Sequence, residues 1–212
     1  MAAQRYVVTG TDTGIGKTVF AAALAQALGA AYWKPVQAGT DDAGEGDAQT
    51  VARLTDPARV TVLPCAYELA TPCSPHRAAE IDGLAIDPAQ LALPSHAGPL
   101  VVEGAGGVLV PLNRQRTFAD QFADWRLPVV LVARTALGTI NHTLLSIEAL
   151  RARGVTVHGV AFVGEPVPDS EETIATMGGV RRLGRLPHLE RLESTALAIA
   201  FSRGFDMVDF AA

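Results

Sequence analysis

Gly10-Thr11-Asp12-Thr13-Gly14-Ile15-Gly16-Lys17-Thr18 stands between an apolar run, Tyr6-Val7-Val8, and an alanine-rich segment, Val19 to Leu28. The order is strand, glycine-rich turn, helix. A helix N-terminus presents unpaired N–H groups and a partial positive charge, so a phosphate placed there is held by the backbone itself. Glycines let the chain curl around the anion without Cβ clashes. Lys17 adds a point charge for β/γ-phosphates, and the Thr18 hydroxyl is a ligand for Mg²⁺. The general phosphate-loop spacing wants Gly six residues before the Lys. That position is Thr11, and Gly10 lies one residue earlier. A Gly-Lys-Thr that opens a helix directly after a strand outweighs the mismatch. Gly14, Ile15, Gly16, Lys17, Thr18 and Val19 are therefore read as a nucleotide-phosphate site and not as an ordinary tight turn.

The rest of the chain is consistent with that centre. Its 212 residues predict a single domain, residues 1–212, with a sizeable core. Apolar residues make up 49% and charged residues 18%, which excludes a disordered chain. A formal net charge of −5 argues against nonspecific binding to nucleic acid through a basic face. No apolar run reaches the ~20 residues of a membrane span. Met-Ala-Ala-Gln-Arg leads straight into the first strand, so no signal peptide and a cytoplasmic location are expected. Cys65 and Cys73 lack metal-ligand spacing and are read as reduced thiols, small buried side chains in a Pro-rich region. The lysines are more telling. Of 17 basic residues only Lys17 and Lys34 are lysine. In a chain that uses Arg as its generic surface cation, a compact mobile ammonium points to a specific task.

Strand and helix patterns alternate almost throughout. Strands are expected at Arg5 to Thr9, Ala31 to Lys34, Val60 to Leu63, Leu100 to Glu103, Pro128 to Ala133, Val155 to Phe162 and Arg182 to Leu186. Helices are expected at Lys17 to Leu28, Ala48 to Leu54, Pro88 to Leu93, Phe118 to Trp125, Thr139 to Arg153, Ser170 to Met177 and Ser194 to Ser202. Residues 36–46 read as a Gly-rich loop and residues 55–76 as mostly irregular. Several strands are unbroken apolar runs, the mark of a parallel sheet covered on both faces. The fold class is α/β, a doubly wound, mostly parallel sheet with helices on both faces. Ligands bind outside the carboxyl ends of such strands. Lys34, Glu103 and the loop after Ala133 should then surround phosphates held by Gly14 to Thr18.

Glu103 ends a buried strand and is followed by Gly104-Ala105-Gly106-Gly107. An acid placed there beside a phosphate loop suits Mg²⁺ or its water, and the glycines let backbone approach a ligand closely. Asp47 has two readings from the residues alone: an N-cap for the helix that follows, or a second carboxylate for Mg²⁺. Gly138-Thr139-Ile140-Asn141-His142 opens a helix, a site suited to a carboxylate, although Asn141 and His142 read equally as first-turn residues facing solvent. His76, within Ser74-Pro75-His76, is treated the same way. No Ser–His–Asp or Cys–His pattern stands out, which leaves phosphoryl transfer or nucleotide-driven ligation.

Taken together these stretches resemble the dethiobiotin synthetases. The matching pieces are Gly10 to Thr18, Trp33-Lys34-Pro35-Val36-Gln37, Ser74-Pro75-His76, Glu103 to Gly107 and Gly138 to His142. They occur in the family's order and span most of the chain, and the extra residue in the glycine spacing is the family's own form. The resemblance implies a P-loop NTPase-like enzyme that uses ATP, with Mg²⁺, to join CO₂ to 7,8-diaminopelargonate. An amine captures CO₂ as a carbamate, ATP phosphorylates it, and the second amine closes the ureido ring to give dethiobiotin, ADP and phosphate. The substrate supplies both amines, so the protein's task is positioning and charge neutralisation.

The resemblance also implies residue roles. Lys34 sits on the carbamate and the transferring phosphoryl, with Lys17 on the β/γ-phosphates. Thr18, Asp47 and Glu103 hold Mg²⁺. Gly104, Ala105 and Gly106 approach the nucleotide, and Leu186, Pro187 and His188 lie near its adenine. Thr11, Lys34, Ala38, Gly138 and Asn141 touch the substrate. The family is a homodimer with substrate at the interface, so the stretch Gly138 to His142 would come from the partner chain; neither a nucleic-acid nor a membrane partner is implied.

Two positions depart from the family's pattern. Ala38 stands where a substrate-contacting Ser is common, so binding is weakened or Thr40 substitutes. No Asn reads the adenine edge near Val160 to Gly164; Val163 occupies that place. Two rivals remain: an ATPase switch of the partitioning type, and a nucleotide-binding module without turnover. The switch class carries a lysine early in the phosphate loop, where this chain has Thr11 and Asp12, and no basic or amphipathic anchor is visible in Phe205 to Ala212. The missing Asn predicts relaxed nucleotide selectivity. Turnover with GTP and CTP should approach that with ATP, and a strong preference for ATP in a side-by-side rate comparison refutes the idea.

Overall fold

The computed structural model describes residues 4–41 and 44–211. Met1 to Ala3, residues 42 and 43 of the expected 36–46 loop, and Ala212 lie outside that range. The first strand, β1 (Arg5–Gly10), runs into the phosphate loop and then α1 (Lys17–Leu28). Next come β2 (Ala31–Trp33), β3 (Val36–Ala38), α2 (Asp47–Leu54), β4 (Thr61–Leu63), β5 (Tyr67–Leu69) and α3 (Pro75–Ile81). The second half has β6 (Leu100–Gly107), α4 (Phe118–Trp125), β7 (Val129–Arg134), α5 (Thr139–Arg151), β8 (Val157–Val163), α6 (Pro168–Gly178), β9 (Arg182–Leu186) and α7 (Ser194–Gly204). Short 3₁₀ turns lie at Pro88–Leu91 and Met207–Phe210.

Seven strands form one sheet in the order β4-β2-β6-β1-β7-β8-β9, and every pairing in it is parallel. Strand alternation divides the core. Tyr6 and Val8 of β1, with Val130 and Val132 of β7, face α1, α2 and α7; Val7, Val129 and Leu131 face α3 to α6. Buried on both faces, the strands read as unbroken apolar runs, as the sequence led us to expect. β1 lies mid-sheet, between β6 and β7, where the chain's path turns from one flank to the other, so its carboxyl end opens on the crevice where ligands bind.

Several expectations are corrected. The strand expected at Leu100 to Glu103 continues through Gly107 as β6: after a bulge, Gly107 pairs with Gly10, and a Cβ on Gly107 would lie 3.3 Å from the Thr11 carbonyl. The 36–46 loop begins with β3, which pairs with β5 in a separate two-stranded parallel sheet. The irregular 55–76 region ends in α3, because Pro75 sits at the first helical position, where its missing N–H is no loss. Gly46 and not Asp47 is the N-cap of α2, which leaves the Asp47 carboxylate free for other partners. Cys65 is half-buried and Cys73 exposed, so neither is the buried side chain expected.

The far edge of the sheet depends on close backbone contact. Gly184 of β9 has φ +147°, and a Cβ there would lie 2.1 Å from the Gly204 carbonyl oxygen, at the bridge that ties β9 to Phe205. Gly184→Ala is expected to destabilise the protein by roughly 2–3 kcal/mol, read as a lower urea midpoint at unchanged m-value.

Candidate active site

The helix that follows the phosphate loop begins unsatisfied. Gly16 is its N-cap, at φ 90° in the left-handed region, and no side chain caps the first turn. The N–H groups of that turn are left for an anion. Gly10 explains the displaced spacing: a Cβ at that position would meet Ile15 Cδ1 at 2.7 Å and Lys17 Cδ at 2.8 Å. The aliphatic stem of Lys17 lies in the space that only glycine leaves. Its ammonium then donates to the Asp12 carbonyl at 2.6 Å, within the loop itself. Burial pulls the Lys17 pKa down to about 8, against the raising effect of Glu103.

Two strands, β2 and β6, and the start of α2 converge beside this loop. Lys34 follows β2 and is 2% exposed; Glu103, in β6, has no exposure. The Lys34 ammonium lies 2.5 Å from Asp47 Oδ2 and 3.2 Å from Glu103 Oε1, and donates to the Gly104 carbonyl at 2.8 Å. The Thr18 hydroxyl is 2.9 Å from both Asp47 Oδ1 and Glu103 Oε1. Asp47 is aimed by its own backbone, whose N–H donates to the side chain of Gln37 at 3.1 Å. Burial works to lower the Lys34 pKa, but Glu103 and Asp47 outweigh it and raise it. Asp47 is lowered, chiefly by Lys34 working against burial. Burial raises Glu103, with Lys34 and a hydrogen bond from Tyr32 opposing. The Lys34 ammonium and the Tyr32 hydroxyl favour the ionised form of Glu103, the single Thr18 proton is shared between Glu103 and Asp47, and the cluster is a buried cation held between two acids.

The loop is a wall shared by two cavities. One, of about 660 Å³, is lined by Lys17, Thr18, Lys34, Asp47, Glu103 and Ala38 among others. The second, of about 540 Å³, lies across Gly14, Ile15 and Gly16 and is lined by Val163, Leu186, Pro187 and His188. A Cβ on Gly16 would lie 2.9 Å from Val163 Cγ1, so loop and second cavity touch at that glycine. Ala105 and Gly106 line the first cavity, and Gly104 reaches the cluster through its carbonyl. The loop after Ala133 borders the phosphate loop from the second cavity, through Arg134, Thr135 and Ala136 beside Gly14 to Gly16, while Lys34 and Glu103 border it from the first. Thr11 lines a third, open cavity of about 460 Å³ beside His142 and Leu145. Gly138 and Asn141 are exposed at the start of α5, away from the first cavity. His142 is also exposed, and the Ser74 hydroxyl bonds His76 Nδ1 at 3.1 Å.

Thr18, Asp47 and Glu103 put three hard oxygens around one point next to a phosphate loop. Mg²⁺ sites take one or two carboxylates and leave the remaining positions to phosphate and water, so the donor set fits this ion. Sequence reading missed Tyr32, whose hydroxyl donates to Glu103 Oε2 at 2.8 Å, and Gln37. Tyr32 lies in β2, two residues before Lys34, and no local pattern marks its hydroxyl.

Residues 4–196 match a family model described as an AAA domain. Over 206 residues the chain is 65% identical to the ATP-dependent dethiobiotin synthetase BioD of Novosphingobium aromaticivorans, covering 97% of this chain and 98% of that protein. A protein of the same name from Agrobacterium fabrum is 57% identical over 206 residues, covering 97% and 96%. Among solved structures, the MinC:MinD cell division protein complex of Aquifex aeolicus superposes with a TM-score of 0.57 at 13% identity, covering 98% of this chain and 93% of that one. The ParA family ATPase of Chlorobium tepidum TLS gives 0.55 at 11%, covering 93% and 97%. At such identities the likeness is one of fold alone.

The lowered Lys17 pKa has a direct consequence for nucleotide binding. Only the ammonium form attracts phosphate, and above pH 8 the free protein loses it. Affinity for ATP, measured by calorimetry in EDTA, is expected to weaken by roughly tenfold per pH unit above about pH 8, with a proton taken up on binding. An affinity that stays flat to pH 9.5 contradicts this.

Proposed function

The chain belongs to the ATP-dependent dethiobiotin synthetase family, a ligase of biotin biosynthesis, and on that premise we propose how its own side chains carry the reaction. The substrates are 7,8-diaminopelargonate and CO₂, with ATP as co-substrate. One substrate amine adds to CO₂ and loses a proton to give a carbamate. A carbamate oxygen takes the γ-phosphoryl group of ATP, releasing ADP and leaving a carbamic-phosphoric anhydride. The second amine attacks the carbamoyl carbon, the C–O bond to phosphate breaks, and the ureido ring of dethiobiotin closes.

Every species along this path is an anion formed beside another anion, so charge neutralisation is the main requirement. Lys34 is the residue we assign to the carbamate and the transferring phosphoryl. Its ammonium stays charged because two acids hold it so, and it lies at the wall shared by the first cavity and the phosphate loop. Lys17 would leave the Asp12 carbonyl for the β/γ-phosphates, and a phosphate there restores the charge that burial weakens. Thr18, Asp47 and Glu103 would hold Mg²⁺, which when bound neutralises the charge on the β- and γ-phosphates. Gly14 to Val19 cradle the phosphates from the backbone, with Gly104, Ala105 and Gly106 closing the other side. Leu186, Pro187 and His188 take the adenine, with Val163 where an Asn is usual. Ala38 offers the diamine no hydroxyl, but Thr40 lines the same cavity and can supply one.

Thr11, Gly138 and Asn141 lie outside the first cavity. Their assignment to substrate rests on a homodimer in which the start of α5 covers the neighbouring subunit's site. The exposed side chains of Leu109, Leu137 and Leu145 on this face support that reading. Among the described residues no helix is long and apolar enough to cross a membrane, in keeping with a cytoplasmic one-domain enzyme.

The observation that carries the proposal is the buried Lys34 ammonium held between Asp47 and Glu103 beside the phosphate loop. The test is phosphate release with and without the diamine and bicarbonate. An ATPase switch hydrolyses ATP regardless of the diamine, and a nucleotide-binding module releases nothing. Lys34→Gln is expected to lower turnover by roughly 10²- to 10³-fold with the affinity for ATP nearly unchanged, since Lys17 and the loop backbone hold the nucleotide. Near-normal rates in that variant would remove Lys34 from the chemistry.

A further inference from the structure

Tyr32 is fully buried, and its hydroxyl donates to a carboxylate with no exposure to water. The geometry follows from the sheet. Tyr32 in β2 lies opposite Val101 in β6, and Glu103 is two residues further along β6, on the same face. The ring therefore reaches up the sheet from below, and its hydroxyl meets Oε2. Oε1 faces the other way and takes Thr18 and Lys34.

The two oxygens thus have different kinds of partner. Thr18 and Lys34 line the first cavity and are the groups that turn to metal and phosphoryl in the reaction proposed above. Tyr32 does not line that cavity and has no competing ligand. Once Thr18 and Lys34 are engaged by ligands, the Tyr32 hydroxyl is the side-chain donor left on Glu103. A buried carboxylate without a donor can rotate about its terminal torsion, which is broad and roughly two-fold. It then presents either oxygen, and no single geometry, to a cation.

We propose that Tyr32 is a positioning residue: by gripping Glu103 Oε2 it keeps Oε1 aimed at the cation site of the phosphate loop. The assignment rests on the reading of Glu103 as a ligand of the divalent cation. It predicts that Tyr32→Phe, which keeps the ring and removes only the hydroxyl, weakens cation binding in a correctly folded protein.

Mn²⁺ binding to the full chain with a non-hydrolysable ATP analogue, followed by electron paramagnetic resonance, tests this beside Glu103→Gln and with thermal midpoints for each protein. The expected result is a loss of roughly tenfold or more in Mn²⁺ affinity for Tyr32→Phe, and a larger loss for Glu103→Gln. In turnover, the concentration of Mg²⁺ needed for half-maximal rate should rise while the rate at saturating Mg²⁺ stays near normal. If Tyr32→Phe binds Mn²⁺ like the unmodified protein while Glu103→Gln does not, the positioning role is wrong and the Glu103 reading stands. A lower thermal midpoint with unchanged Mn²⁺ affinity means that the hydroxyl only satisfies a buried acid, which also overturns the proposal. Unchanged Mn²⁺ affinity in Glu103→Gln removes Glu103 as a ligand and the proposal with it.

Discussion

A carboxylate cut off from water in the middle of a buried strand is the constraint that organises this molecule. Taking Glu103 out of water costs several kcal/mol, even after the surroundings relax. That cost is offset only by donors placed around it: the Thr18 hydroxyl, the Lys34 ammonium and the Tyr32 hydroxyl. Each comes from a different segment. Thr18 lies in the first turn of α1, Tyr32 in β2, and Lys34 just after it. The sheet must therefore keep β2 beside β6 in one register, and α1 must start at one fixed height above them. The acid cluster and the fold specify one another.

The same logic accounts for the choice of lysine. A guanidinium is a rigid fork with five donors, too large for the gap between Asp47 Oδ2, Glu103 Oε1 and the Gly104 carbonyl; a compact ammonium with three donors meets all three acceptors. Lys17 shows the complementary case. Among the described residues it has no acid at hydrogen-bond distance; it sits against the Asp12 carbonyl and is held less firmly in its charged form. One lysine is held as a cation by the acids beside it, and the other has its charged form weakened by burial. Between them the glycines act by what they leave empty: Gly10 makes room for the Lys17 stem, and Gly16 lets the loop close against Val163.

Legibility varied with the range of the interaction. α1, α4 and β9 fell where periodicity and caps placed them, because the signals lie within a few residues. The glycines after Glu103 misled for the opposite reason: glycine reads as a turn, but here it lets two strands and the phosphate loop approach one another. β3 and β5 escaped notice because a strand of three residues has almost no pattern of its own and exists only through its partner. Asp47 was ambiguous between cap and ligand, and Gly46 taking the cap removed the first of these readings. Tyr32 received no assignment of its own, since nothing local tells a tyrosine whose hydroxyl is needed from one that only fills space.

By itself the sequence determined the alternation of strand and helix, the anion-binding turn at Gly10 to Thr18, the parallel two-faced sheet, and the residues able to do chemistry at its strand ends. These follow from backbone conformation, side-chain period and residue type, which act locally. The tertiary structure alone decided which atoms meet. Tyr32 and Glu103 are separated by 71 residues, and Thr18 and Glu103 by 85. Contact at such separations depends on strand order, register and helix height, which are set by the packing of the whole core and by the cost of leaving a buried charge without partners.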